Sequence, residues 1–211
     1  MTAWISSVIS DRAGKVALFV VLFAPLGLLA WDIVGEVQQP GSRLGPDPAA
    51  AVVSELGSWS IRMLLLALAV SSIRRRFAWP RVMRYRRMIG LTAFAYVVCH
   101  FTAYLGLLAS FDWHVIADDL VERTYITAGF LAMLLLVPLA VTSTDRFRRR
   151  LGPRWRVLHR AVYAAMGLAL LHYFWLIKDG YAEAVLYLAV FLALMAERML
   201  AMRIGREPRT A

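Results

Sequence analysis

The chain has 211 residues, 60% of them apolar, with a mean hydropathy of +0.60 and a formal net charge of +10. That hydrophobicity excludes intrinsic disorder, and the single Cys99 excludes a disulfide scaffold. Nucleic-acid binding, the usual reading of so basic a chain, is excluded because soluble domains seldom exceed about half apolar residues; what remains is a membrane protein whose charges are segregated along the sequence.

A hydrocarbon core about 30 Å thick takes about 20 apolar helical residues. Six stretches qualify, at residues 15–34, 57–73, 88–110, 124–142, 157–177 and 183–202. The predicted fold is all-α, a six-transmembrane-helix bundle, with residues 1–211 read as a single domain without internal repeats. The amino-terminal residues mix Trp4, Ile5 and Asp11 ahead of the first apolar run and do not read as a cleaved signal. The second span is the shortest and carries Arg62. Pro25 and Pro138 fall inside apolar runs, where a membrane helix tolerates them as kinks.

The charges sort by loop. Arg74, Arg75, Arg76, Arg81, Arg84, Arg86 and Arg87 lie between spans two and three; Arg146, Arg148, Arg149, Arg150, Arg154, Arg156 and Arg160 follow span four. Arg12 and Lys15 precede the first span, and Arg198, Arg203, Arg206 and Arg209 close the chain. The alternate loops are neutral to acidic, with Glu36, Arg43, Asp47 and Glu55, then Asp112, Asp118, Asp119, Glu122 and Arg123, then Lys178, Asp179 and Glu183. Because positive residues stay on the cytoplasmic side, both termini are predicted to be cytoplasmic. Trp31, Trp59, Trp79, Trp113, Trp155 and Trp175 sit near span ends, as an interfacial belt would. Most of the cytoplasmic arginines are read as orienting charges in contact with anionic lipid.

Ionisable groups inside a span are expensive, which marks them as functional candidates. His100 lies about 18 Å into span three and His172 about 22 Å into span five, at about 1.5 Å per residue. Both spans run outward, so the two imidazoles are level. His159 enters only about 3 Å, level with Arg86 or Arg87. Arg86 and His100 are 14 residues apart and share a helix face, whereas the 13 from His159 to His172 fit poorly unless the helix loosens near Gly167. His114 falls in the acidic loop and is read as solvated; Cys99 is read as a packing thiol.

Three readings of the level pair stand side by side. They are packing histidines bonded to hydroxyls such as Thr92 or Thr102, members of a proton relay, or the two axial ligands of a haem. Zinc is disfavoured, since no Cys, Asp or Glu lies at that depth, and a relay would usually include an intramembrane carboxylate. A Cys-x-x-Cys-His sequence is lacking, so covalent haem attachment is excluded. A b-type haem carries two propionates that need cations; Arg62 is the candidate for an outer haem, and Arg86, Arg87 and Arg160 for an inner one.

Arg86-Arg87-Met88-Ile89-Gly90-Leu91 leading to His100, then Thr142-Ser143-Thr144, then the run from Leu151-Gly152-Pro153 through His159-Arg160, and His172-Tyr173 together resemble the MsrQ (YedZ) family. More broadly the chain resembles the transmembrane domain of ferric reductases and NADPH oxidases, in which two spans each carry two histidines and hold two stacked haems. The resemblance implies haem b, one or two per chain, bound by His100, His172 and His159, in a bacterial inner membrane. It implies electrons arriving from the quinone pool or a cytoplasmic flavin reductase and passing to MsrP, a periplasmic molybdopterin enzyme that reduces methionine sulfoxide in oxidised proteins. FMN is implied by the resemblance alone. The chain departs from the four-histidine pattern at Arg86, so an inner haem is absent, has another sixth ligand, or is replaced by flavin or quinone. Only a short tail follows Met202, with no Gly-x-Gly-x-x-Gly, so the chain is expected to act as a relay that takes no hydride itself. The alternatives are a stand-alone transmembrane ferric or quinone reductase and, outside redox chemistry, a transporter or structural membrane protein.

Overall fold

Asp47-Pro48 is a helix-start signal: the Asp47 side chain accepts from the Ala50 amide at 3.0 Å, and Pro48 occupies the first helical position. Span two therefore begins nine residues earlier than its apolar run, at Pro48 instead of Gly57. The computed structural model describes residues 12–177 and 180–204. In chain order the helices are α1 (Arg12–Gln38), α2 (Pro48–Arg76), α3 (Met83–Ala103), α4 (Trp113–Glu122), α5 (Thr124–Val141), α6 (Asp145–Leu151), α7 (Pro153–Leu158), α8 (Ala161–Leu176) and α9 (Ala182–Ile204). A 3-10 turn, Pro80–Val82, leads into α3, and a π-helical stretch, Tyr104–Leu108, continues it. The amino-terminal residues weighed as a signal, Lys178, Asp179, Arg206 and Arg209 lie outside the described residues.

Six helical segments are long and apolar enough to cross a membrane: Ala13–Gln38, Pro48–Arg76, Pro80–Leu108, Thr124–Val141, Pro153–Leu176 and Ala182–Met202. Their outward faces carry large apolar side chains such as Val21, Leu28, Leu134 and Leu186, each about half or more exposed. Such a surface is untenable in water and is what a hydrocarbon solvent requires. The chain is a multi-pass membrane protein. α2 is the most enclosed helix, burying Leu56, Ile61, Leu64, Leu68 and Val70 against the rest of the bundle. It packs most closely on α3, while α5 packs most closely on α8.

Several expectations change. The fifth span is interrupted at His159–Arg160, between α7 and α8, whereas Gly167 lies inside continuous helix. The loop after span three is not wholly irregular: Asp112 accepts the His114 amide at 2.8 Å and starts α4. Trp31, Trp113 and Trp175 are exposed, but Trp59 packs on Tyr96 and Trp155 donates to the Thr142 carbonyl at 3.0 Å, so these two serve the interior. Arg87 reaches Asp145 at 3.7 Å, which brings the two arginine-rich loops to one end of the bundle.

Arg198, counted from sequence among the closing charges, is buried in α9. It donates to the Leu68 carbonyl at 2.6 Å and to the Tyr163 hydroxyl, and lies 5.0 Å over the Tyr163 ring. Removing it strands buried acceptors at an expected cost of about 1–3 kcal/mol. Arg198→Ala is expected to lower the thermal midpoint of the detergent-purified protein, while Arg76→Ala, on an exposed side chain, stays within about 0.5 kcal/mol of the parent.

Candidate functional site

A cavity of about 480 Å³ opens between α2, α3, α5 and α8 and is covered by α4. His100 and His172 both line it, with ring centroids 6.2 Å apart and ring planes at 74°. Each imidazole is fixed through its inner nitrogen. Nδ1 of His100 donates to the Val53 carbonyl at 2.9 Å, and Nδ1 of His172 to the Tyr125 carbonyl at 2.7 Å. A carbonyl only accepts, so both rings carry their proton on Nδ1 and keep the electron pair on Nε2. Neither ring bonds Thr92 or Thr102, the hydroxyls weighed from sequence.

These carbonyls belong to helices, and each is reached through a gap. A helical side chain leans toward the amino terminus and covers the turn before it. The residues that would cover Val53 and Tyr125 are four places on, and both are glycine. A Cβ on Gly57 would lie 3.0 Å from Cε1 of His100, and one on Gly129 would lie 2.9 Å from Nδ1 of His172. A side chain at either position would push the imidazole off its carbonyl.

The two half-sites repeat. Forty-seven residues separate Val53 from His100 and Tyr125 from His172. Ten cavity-lining residues from α2, α3 and the π turn each have a counterpart 72 positions on, in α5 and α8, that lines the cavity too. The absence of internal repeats expected from sequence is thus corrected: the chemistry repeats only at Gly57/Gly129, Leu64/Leu136 and His100/His172, too few identities to show in the apolar background.

The other predicted site residues lie elsewhere. Neither His159, Arg86, Arg87, Arg160 nor Arg62 lines this cavity. Thr142 gives its single hydroxyl proton to the Pro138 carbonyl at 2.6 Å, so it accepts from Nε2 of His159 at 3.1 Å. His159 therefore holds its proton on Nε2, the reverse of His100 and His172, and stacks on Trp155 at 3.9 Å. Arg86 is half-buried, and Arg87 and Arg160 are exposed. Arg62 sits fourteen residues into α2, because the helix starts at Pro48. Its guanidinium is committed to Glu183 at 2.6 Å and to the Tyr187 hydroxyl at 2.6 Å, and Tyr173 joins the same carboxylate at 2.9 Å. His114 is exposed.

One cation missed from sequence does line the cavity: Arg123, at the junction of α4 and α5. Its Nε lies 3.1 Å from Asp119, whose other oxygen takes the Tyr104 hydroxyl at 2.8 Å. The Asp119 carboxylate, with Tyr125 beside it, pushes the Arg123 guanidinium above its usual pKa and keeps it charged. The signal was its place one residue before span four, on the mouth side of the histidines.

Chemically, the arrangement offers two imidazoles, each with an Nε2 lone pair left uncommitted by its Nδ1 bond, on the lining of one apolar chamber. Two metal–imidazole bonds of about 2 Å, plus about 1 Å from each nitrogen to its ring centre, span about 6 Å, which matches the observed separation. Among the described residues no group of three or more His, Cys, Asp or Glu side chains could hold a bare metal ion. A haem supplies four nitrogens of its own and asks the protein for two, and the residues present fit that demand.

A helical bundle with opposed histidines of this kind is a ferric reductase-like transmembrane component, and the family model described as "Ferric reductase like transmembrane component" matches residues 56–170. Three curated relatives narrow the family. The protein-methionine-sulfoxide reductase heme-binding subunit MsrQ of Xanthomonas campestris pv. campestris (strain 8004) is 41% identical over 191 residues, covering 90% of this chain and 88% of its own. Those of Rhodospirillum rubrum and Caulobacter vibrioides are each 42% identical, covering 94% and 86% of this chain and 95% and 84% of their own. The chain belongs to the MsrQ family.

Gly57→Leu and Gly129→Leu are each expected to displace an imidazole and lower haem retention severalfold in purified protein. Gly90→Leu, where a Cβ meets nothing within 4 Å, is the control and is expected to retain the parent's haem-to-protein absorbance ratio.

Proposed function

We propose that this chain is the haem b-carrying membrane subunit of a methionine sulfoxide reductase system, acting as one transmembrane electron relay. Its donor is the quinone pool or a cytoplasmic flavin reductase, and its acceptor is MsrP, a periplasmic molybdopterin enzyme that repairs oxidised proteins. The observation that carries the reading is the opposed pair His100 and His172, each held by a helix carbonyl with Nε2 left to ligate. The relatives' names add that those proteins bind haem in such a system. Support for the inner membrane and for cytoplasmic termini comes from the loop arginines.

When bound, haem supplies one-electron redox chemistry whose potential the protein sets through ligands, burial and nearby charge. His100 and His172 would hold the haem through Nε2, and the Val53 and Tyr125 carbonyls raise the basicity of these rings and fix their orientation. The apolar walls exclude water, so no proton need be held at the cavity centre. No residue is required to act on methionine sulfoxide, since that reduction belongs to the partner. For a second haem, His159 with Arg86 is the pairing proposed, Arg87 and Arg160 being the neighbouring cations; ligation through Nε2 of His159 requires it to leave Thr142. FMN remains a proposal from family resemblance, with no residues assigned to it.

The purified protein is expected to show a Soret band that shifts on dithionite reduction. His100→Ala and His172→Ala should each abolish the bis-imidazole spectrum, and His114→Ala should leave it unchanged. A protein lacking any Soret band after expression with adequate haem supply would sink this reading. His159→Ala distinguishes the haem count: loss of about half the haem per protein means two haems, and an unchanged ratio means one.

A further inference from the structure

The cavity's repeated chemistry breaks at one end. Its matched lining comes from α2, α3, α5 and α8, but α4 and its junction with α5 add Val115, Ile116, Asp119, Leu120 and Arg123, none of which belongs to the repeat. A porphyrin needs such a break. Its two carboxylates leave from one edge, so its chamber must be apolar around most of the ring and cationic on one side. Among the described residues lining the cavity, Arg123 is the sole arginine or lysine.

We propose that Arg123 anchors a propionate of the haem held by His100 and His172, and that Asp119 and Tyr104 are the positioning residues that aim it. The proposal rests on the haem reading above and replaces Arg62, which Glu183 already engages. Asp119 holds Arg123 through Nε at 3.1 Å with the Tyr125 side chain beside the same guanidinium, so a propionate would be taken at a terminal nitrogen, the side of arginine that suits carboxylates. The Asp119 side chain is 12% exposed and that of Arg123 is 56% exposed, so the carboxylate is the fixed point and the guanidinium reaches from it. Tyr104 stands one turn beyond His100, and Arg123 two residues before Tyr125, whose carbonyl holds His172. The three polar residues thus tie both imidazole mounts to one point on the cavity's edge.

The test is made on the full-length protein purified in detergent, with haem content and midpoint potential as readouts. A cation beside a propionate favours the reduced haem. Arg123→Gln is therefore expected to lower the potential by about 60 mV, a tenfold change for one electron, and to reduce haem retention severalfold. Arg123→Lys should keep most of both. Asp119→Asn keeps the cation but frees it from its mount, and should reduce haem retention with a smaller fall in potential. If Arg123 merely braces the α4–α5 corner, the Gln and Asn variants will lower retention alike and leave the potential unmoved, which overturns the proposal. A parent protein without a Soret band would refute the haem reading, whereas a normal parent spectrum with an unmoved Arg123→Gln potential refutes the anchor alone.

Discussion

An imidazole placed in an apolar bundle has two nitrogens to account for, and nothing around it but hydrocarbon and helices whose backbone groups are already paired. The structure answers with the spare lone pair of a helix carbonyl. Val53 and Tyr125 each serve a ring that arrives from a neighbouring helix, and this is possible because the residue that would shield each carbonyl is glycine. Close packing of α2 on α3 and of α5 on α8 follows from the same need, since the donor and acceptor must come within 3 Å. The cavity is what is left between two such pairs. Remove the glycines and the imidazoles lose their mounts, although no ligand has been touched.

The two ends of the bundle use histidine in opposite ways. At His100 and His172, proton placement on Nδ1 clears Nε2 for a metal. At His159, the neighbouring Thr142 has spent its hydroxyl proton on Pro138 and so claims the Nε2 proton of the ring. Trp155 then closes over that ring and bonds the Thr142 carbonyl. One amino acid type reads alike in sequence at two depths, and hydrogen-bond partners give it different electronic states.

Much of the architecture was legible because the membrane imposes it. Apolar run length gives the spans, alternating loop charge suggests their direction, and depth along parallel helices sets His100 beside His172. What escaped had its cause in tertiary partners or in weak local signals. Asp47-Pro48 announced the start of α2, but apolar content alone pointed to Gly57. Arg62 looked available because Glu183, 121 residues away, is not visible as its partner until the chain folds. Arg198 looked like a surface charge for the same reason. Arg123 was passed over as one charge in an acidic loop, since nothing local shows α4 folding across the mouth of the cavity. The repeat was hidden because helices facing lipid and one another need only be apolar, which leaves little sequence to match beyond the glycines and histidines.

The 72-residue repeat has a mechanical consequence. Each helical hairpin brings a single ligand, and neither can grip a metal centre alone. A haem bound to both imidazoles would be a rivet through the seam, joining halves that otherwise meet through apolar side chains and a few polar links such as Tyr104–Asp119 and Arg87–Asp145. Assembly would then be complete only when the cofactor arrives, and its loss would first be felt as play between the hairpins, before any helix unwinds.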